Sequence, residues 1–255
     1  MSSVLLEQHG PVALLTLNEP ERRNAFSPGL MRAISPLLER LADDPAVTVV
    51  VFTGAGKVFS GGADLKEMQV ATPLEDRAEY DHILRFNRLV WNYPKVTMAA
   101  VNGHAVGGGA NLVSWCDLAV TDERALFGYP EVRAGIASAT VIAGLLRHVN
   151  RKQMNELVLT GQLVDAHQAR ELGLVNRVVP AGTAVSAAIE WATQIAGSAP
   201  HALGFTKEVL RVAADMEYDK ALDYARDIRV ISRLHPEFRA RIDSYLASKN
   251  KARAQ

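Results

Sequence analysis

The strongest constraint on the fold is a set of short apolar runs separated by helical stretches. Val12–Leu17 (VALLTL) and Val47–Thr53 (VTVVVFT) are rich in β-branched residues and end at turn residues. They read as buried strands. Between them, Ser27–Ala42 has helical spacing, with Leu30, Ile34, Leu37, Leu38 and Leu41 on one side. Pro36 lies inside that stretch and predicts a bend or a split there. Leu74–Tyr93 predicts a long helix that opens after Pro73 and closes before Pro94. A strand at Val96–Val101 follows, then a glycine-rich turn and a short helix near Gly109–Trp115. Asp117–Thr121 and Leu126–Phe127 are further extended pieces.

After Gly144 the helical pattern dominates, over Arg151–Leu159, Asp165–Leu172, Thr183–Ala196, His201–Ala214 and Glu217–Leu234. The charged stretch Lys249–Arg253 is expected to fray. Strands alternating with helices argue for an α/β sheet core over residues 1–197, followed by a helical region over 198–255. Gly197-Ser198-Ala199-Pro200 is the candidate hinge between them.

The chain has 255 residues, enough to bury a core without disulfides or metals. Lys and Arg total 28, as do Asp and Glu, so the basic footprint expected of a nucleic-acid binder is missing. The single cysteine, Cys116, cannot form an internal disulfide, and a reducing compartment is the simplest setting. The apolar runs are too short to span a bilayer. Glu7 and His9 interrupt what would be the apolar stretch of a secretory signal. A cytoplasmic protein without membrane insertion is expected.

Several chemistries drop out. Gly54-Ala55-Gly56-Lys57 resembles a phosphate loop, but Val51 stands at its first glycine and Val58 at its magnesium-holding hydroxyl. Phe59 replaces the third glycine of a dinucleotide fingerprint. The seven histidines show no metal-ligand spacing, so no metal is expected.

Two segments remain that packing alone leaves unexplained. They are Phe59-Ser60-Gly61-Gly62-Ala63-Asp64-Leu65-Lys66-Glu67-Met68 and Val101-Asn102-Gly103-His104-Ala105-Val106-Gly107-Gly108-Gly109-Ala110-Asn111. Each follows a predicted strand and leads into helical sequence. Glycine there lets the backbone turn tightly and lets a ligand approach the amides. A following helix aims free N–H groups and its positive end at that ligand. Two such turns brought together would place two donors around one oxygen, an oxyanion hole. Tight strand-to-helix packing is the plainer alternative for either turn alone. A third segment, Phe127-Gly128-Tyr129-Pro130-Glu131, holds a carboxylate on rigid backbone. Burial there would raise its pKa toward the range useful for moving a proton at carbon.

With these residues the sequence resembles the enoyl-CoA hydratase/isomerase (crotonase) family. The matching segments are Asn24-Ala25-Phe26, Phe59 to Met68, Ala99 to Gly103, Gly107-Gly108-Gly109, Cys116-Asp117, Phe127 to Glu131, Leu159-Thr160-Gly161 and Ala169 to Val175. They run at family spacing over roughly Val4 to Leu246. The resemblance implies an α/β, crotonase-like spiral of ββα units with a C-terminal helical region that builds a homotrimer or hexamer. It implies an acyl-CoA thioester as substrate and no cofactor beyond that coenzyme A. The thioester carbonyl would sit between the amides of Ala63 and Gly108, which stabilise an enolate. Arg22, Arg23 and Ala25 fall where the family holds the adenine and phosphates. Asp64, Leu65 and Lys66 flank the pantetheine path. Tyr245 stands where the family commonly has a phenylalanine close to a neighbouring subunit's nucleotide, and Lys249 is near the family's usual basic position.

The chain departs from that family at Asn111. Two-glutamate hydratases carry a carboxylate there and a second at the position of Glu131. Asparagine exchanges no proton near neutral pH, but its amide can hold a water or a carbonyl. A lone Glu131 suits a double-bond shift between C2 and C4, and it also suits hydration if the water rests on Glu131 alone. Thioester hydrolysis, decarboxylation, carbon–carbon cleavage and non-catalytic acyl-CoA binding stay open as alternatives. Gly135-Ile136-Ala137-Ser138-Ala139-Thr140 is a second departure and points to an altered acyl pocket. His104, near the second turn, is either a pocket group or a packed loop residue.

Overall fold

The computed structural model of the protein describes residues 2–64 and 72–253. It opens with an antiparallel hairpin of β1 (Val4–His9) and β2 (Val12–Leu17). Helix α1 (Pro28–Asp43) follows, capped by the Ser27 side chain, which accepts from the Leu30 N–H. It runs as one helix through Pro36, so the chain is not split there. Pro36 is exposed, so the hydrogen bond it cannot make falls on the solvent side, while Leu30, Met31, Ile34, Leu38 and Leu41 stay buried.

The chain then repeats one theme. A long strand is followed by a short strand and a helix: β3 (Val49–Gly54), β4 (Val58–Ser60) and α2 (Pro73–Trp91). Next come β5 (Val96–Val101), β6 (His104–Val106) and α3 (Gly108–Trp115). The third round is β7 (Leu118–Asp122) and β8 (Leu126–Gly128), with a 3-10 turn over Pro130–Ala134 and α4 (Ala139–Leu145). After α5 (Arg151–Thr160), β9 (Val164–Asp165), α6 (Ala166–Glu171) and β10 (Arg177–Val179), helices alone remain. These are α7 (Ala184–Ala196), α8 (Pro200–Ala213), α9 (Tyr218–Ser232) and α10 (Glu237–Arg253). The Lys249–Arg253 stretch, expected to fray, continues α10.

The long strands form one sheet in the order β1-β2-β3-β5-β7-β10, parallel except at the β1–β2 hairpin. The short strands form a second sheet, β4-β6-β8-β9, in which β4, β6 and β8 are parallel. Alternate residues of the long strands serve two cores. Ala13, Leu15, Val50, Phe52, Ala99 and Val101 join the main core, to which α1, α2 and α3 contribute. Val12, Leu14, Val49, Val51, Val96 and Met98 join the layer under α7, whose Ala188 and Ala192 let the helix lie close to the sheet. Cover on both faces explains why these strands read as unbroken apolar runs.

Asn102 locks one round of the spiral to the next. Its Oδ1 accepts from the Gly54 N–H at 3.1 Å, and its Nδ2 donates to the Gly54 carbonyl at 2.8 Å. Residues 197–199 join α7 to α8. Lys207 of α8 reaches back to Asp117 at 2.7 Å and to the Lys95 carbonyl at 2.8 Å.

Candidate active site

Strands β4, β6 and β8 lie side by side and run the same way. Their carboxyl ends therefore share one edge of the small sheet. The first glycine turn leaves β4, the second leaves β6, and the Tyr129–Glu131 segment leaves β8. Residues distant in sequence are brought together by this register, at the end of parallel strands where α/β folds bind ligands.

The first turn is fastened to the chain just after the 3-10 turn over Pro20–Arg22. The Gly61 N–H donates to the Arg23 carbonyl and the Phe26 N–H to the Gly62 carbonyl, each at 2.8 Å. Gly62 has φ +92°, and a Cβ there would lie 2.9 Å from the Val106 carbonyl oxygen and 3.6 Å from Gly107 Cα. Only glycine allows the two turns this approach. Gly107 itself has φ +52° and ψ −120° and forms the N-cap of α3. Its N–H donates to the Gly128 carbonyl at 2.8 Å. Phe26 bridges both turns, because its ring also fills the space beside Gly108. Gly109 has the plainer role, since it makes room for Ser60.

Ala63 is exposed and Gly108 partly so. Among the described residues neither N–H has an acceptor. The Gly108 N–H belongs to the first turn of α3, where unsatisfied donors and the positive end of the helix coincide.

Glu131 is half-buried on the 3-10 turn over Pro130–Ala134. Tyr129 anchors that turn with a fully buried phenol bonded to Ser114 Oγ at 3.1 Å. The Arg133 Nε donates to the Thr160 carbonyl at 3.0 Å and holds the other end. One carboxylate oxygen, Oε1, lies 3.0 Å from the place a Gly107 Cβ would occupy. The other, Oε2, accepts from Ser138 Oγ at 3.3 Å. Burial pushes the Glu131 pKa above the ordinary carboxylate value, opposed in part by hydrogen bonds from its own backbone and from Ser138. The two glycine turns and this carboxylate thus form one contiguous site.

Asn111 is buried, and its Oδ1 has no hydrogen-bond partner. That oxygen lies against Gly144 of α4, 3.2 Å from its Cβ position. Gly144 also lines a cavity of about 280 Å³ between α2, α3 and α4, with Asn87, Trp91, Trp115 and Thr140 in its walls. Arg22 and Asp64, both named from sequence, bind each other at 2.6 Å. Arg23, in a left-handed conformation, supplies the carbonyl that holds Gly61, and Ala25 is buried beside it. Tyr245 is exposed on α10. Leu65 and Lys66 lie outside the described residues. His104 is exposed, and its Nδ1 accepts from the Leu126 N–H at 3.1 Å, tying β6 to β8. Ser138 entered the sequence reading only as one of the small residues of Gly135–Thr140; nothing local signals its bond to Glu131.

The fold also brings together three groups that spacing had separated. His201, His235 and Glu237 have ligand atoms within 4.8 Å of one another. The two imidazoles are stacked 4.0 Å apart at 9°. A metal binds imidazole nitrogen in the plane of the ring, and rings held face to face cannot share an ion in that way. The cluster does not fit a metal centre.

A superhelix of strand pairs and helices, with a site at the ends of the short strands, defines the crotonase fold class. The profile of the enoyl-CoA hydratase/isomerase family matches residues 7–250. A Thermus thermophilus protein assigned by inference as an enoyl-CoA hydratase is 47% identical over 206 residues, 80% of this chain and 81% of that one. The 2,3-dehydroadipyl-CoA hydratase of Escherichia coli is 34% identical, over 89% of each chain. The crystal structure of an enoyl-CoA hydratase from Mycobacterium smegmatis superposes with a TM-score of 0.92 at 28% identity, covering 96% of each chain. The chain belongs to the enoyl-CoA hydratase/isomerase family.

Proposed function

We propose that the protein binds an enoyl-CoA thioester and hydrates its double bond, with Glu131 as the one acid/base. The contact of Gly62 with Gly107, and of Gly107 with the Glu131 carboxylate, carries this reading. In it the thioester oxygen accepts from the Ala63 and Gly108 N–H groups. One such donor contributes about 3–4 kcal/mol to a transition state. Ionised Glu131 takes a proton from water while the water oxygen bonds to C3, and the C2=C3 pair moves into an enolate. Protonated Glu131 then returns that proton to C2. The carboxylate ends ionised and one water has been added. The raised pKa of Glu131 suits both halves of the exchange.

Arg22, Arg23 and Ala25, with Asp64, Leu65 and Lys66, are read as the coenzyme A path, and Tyr245 and Lys249 as its approach from a neighbouring copy. No cofactor beyond the substrate's own coenzyme A is required. The buried, unpartnered Asn111 Oδ1 favours a role in holding a water or polar substrate group. Assembly as a homotrimer or hexamer is supported by exposed apolar side chains on and between the last helices, Leu210, Leu222, Ile231 and Leu234 among them. A cytoplasmic setting accords with the lone buried Cys116. Among the described residues no helix is long and apolar enough to cross a membrane.

A double-bond shift is the second reading, favoured by the amide at position 111 in place of a second carboxylate. Crotonyl-CoA and a 3-enoyl-CoA ester decide between them. Loss of enoyl absorbance on the first marks hydration, and its appearance on the second marks isomerisation. Turnover of neither ester refutes both.

A further inference from the structure

We infer that Ser138 is a positioning residue for Glu131: its hydroxyl ties down one carboxylate oxygen, so that the other is the oxygen presented to the glycine turns. The inference rests on the proposed hydration. Two observations carry the inference. The first is the contact geometry. Oε2 accepts from Ser138 Oγ, while Oε1 packs against Gly107. A carboxylate held at one oxygen keeps a fixed plane, and the exchangeable proton then has a single address.

The second is what Ser138 does not do. It is the N-cap residue of α4, the place where serine ordinarily accepts from the helix's free N–H groups. Here its side chain makes no capping bond. The hydroxyl is turned to Glu131 instead, in a site where Ser138 is 7% exposed. A carboxylate can only accept, so the hydroxyl donates.

No charged or titratable side chain around Glu131 competes with this bond; the other donor to the carboxylate is the residue's own backbone N–H. Among the described residues Glu131 has no ion pair. Arg133, on the same turn, is committed to the Thr160 carbonyl. Tyr129, from β8, is a neutral phenol bonded to Ser114, with its own pKa raised by burial. The Gly107–Gly109 turn brings no titratable side chain. Ser138 is therefore the side chain that steadies the ionised form, and burial opposes it.

The test compares wild type, Ser138→Ala, Ser138→Cys and Ser138→Thr in the full chain. Two readouts are taken: the pH profile of crotonyl-CoA hydration, and the carboxyl titration of Glu131 by carbon NMR, with Glu131→Gln to assign the signal. Removing a hydrogen bond to a charged group raises the carboxyl pKa by about one unit. The alanine variant is expected to move the acid limb up by that amount and to lose about tenfold in kcat with KM little changed. Threonine, which keeps the hydroxyl, restores the wild-type profile. Cysteine, a weaker donor of similar size, falls between and serves if the alanine variant does not fold. Profiles and titrations that coincide in wild type and both hydroxyl-lacking variants overturn the inference. If wild type turns over no enoyl-CoA ester, the proposed function fails, and the NMR titration alone decides whether Ser138 holds Glu131.

Discussion

Gly107→Ala tests the geometry of the site where it is tightest. At φ +52° and ψ −120° an alanine is strained, at a cost of about 1–3 kcal/mol. In a chain of this size that lowers Tm by several degrees, at about 2–4 °C per kcal/mol. Strain is only half of the effect. The new methyl would stand 3.0 Å from Glu131 Oε1, nearer than an ordinary van der Waals contact. The carboxylate cannot simply swing aside, because Ser138 holds its other oxygen. A displacement approaching 1 Å in such a group costs up to about a hundredfold in rate. Gly182→Ala supplies the control. Gly182 has φ +78° but open space around it, so the same class of strain arises without touching Glu131. Thermal melts and crotonyl-CoA kinetics on both variants separate the two effects. Both should melt below wild type, and only Gly107→Ala should lose kcat by tenfold or more. A folded Gly107→Ala enzyme within twofold of wild-type kcat would refute the claim that the glycine seats the carboxylate.

Glu131→Gln should lose at least a hundredfold in hydration, the lower range of general acid–base contributions. The Glu131 pKa is raised on folding, so stability is greatest below the ordinary carboxylate pKa and is lost as pH rises through the raised value. The glutamine variant should therefore melt above wild type at pH 7, with the gain gone below about pH 4, as pH-dependent melts would reveal. Arg22→Ala breaks the pairs with Asp64 and Glu19, whose arginine is 38% exposed, and such exposed pairs contribute at most about 1 kcal/mol each. Its Tm should barely move while KM for the coenzyme A ester rises several-fold at unchanged kcat, measured by steady-state kinetics. Cys116 is buried, and burial pushes its thiol pKa up. A thiol reagent should leave it unmodified in the native protein and react once denaturant is added.

The parts of the fold legible in sequence are those buried on two sides or along a long stripe. Strands β2, β3 and β5 read as unbroken apolar runs because α7 covers one face and the main core the other. Strand β1 escaped notice: it is an edge strand, with Glu7, Gln8 and His9 exposed. The short strands β4, β6 and β9 are two or three residues long, too little pattern to register against their neighbours. That matters for function, because the small sheet sets the site. The glycine turns were visible one by one as strand-to-helix junctions. Their meeting was not, since it depends on β4, β6 and β8 lying parallel in adjacent places.

The same divide runs through individual side chains. Glu131 could be singled out because its proline-stiffened segment and its acidity are both local facts. Asn111 could be flagged as an amide where a carboxylate was expected. Its contact with Gly144, some thirty residues on, is set by how α4 docks on α3. Ser138 marks the limit of this kind of reasoning. In sequence it is one of the small residues of Gly135–Thr140, and in the structure it stands at the N-cap of α4. The hydroxyl nevertheless turns away from the helix, because a half-buried carboxylate without a cation competes for it more strongly than a backbone N–H does. Local propensity places the residue; the charge it faces across the turn decides what its side chain does.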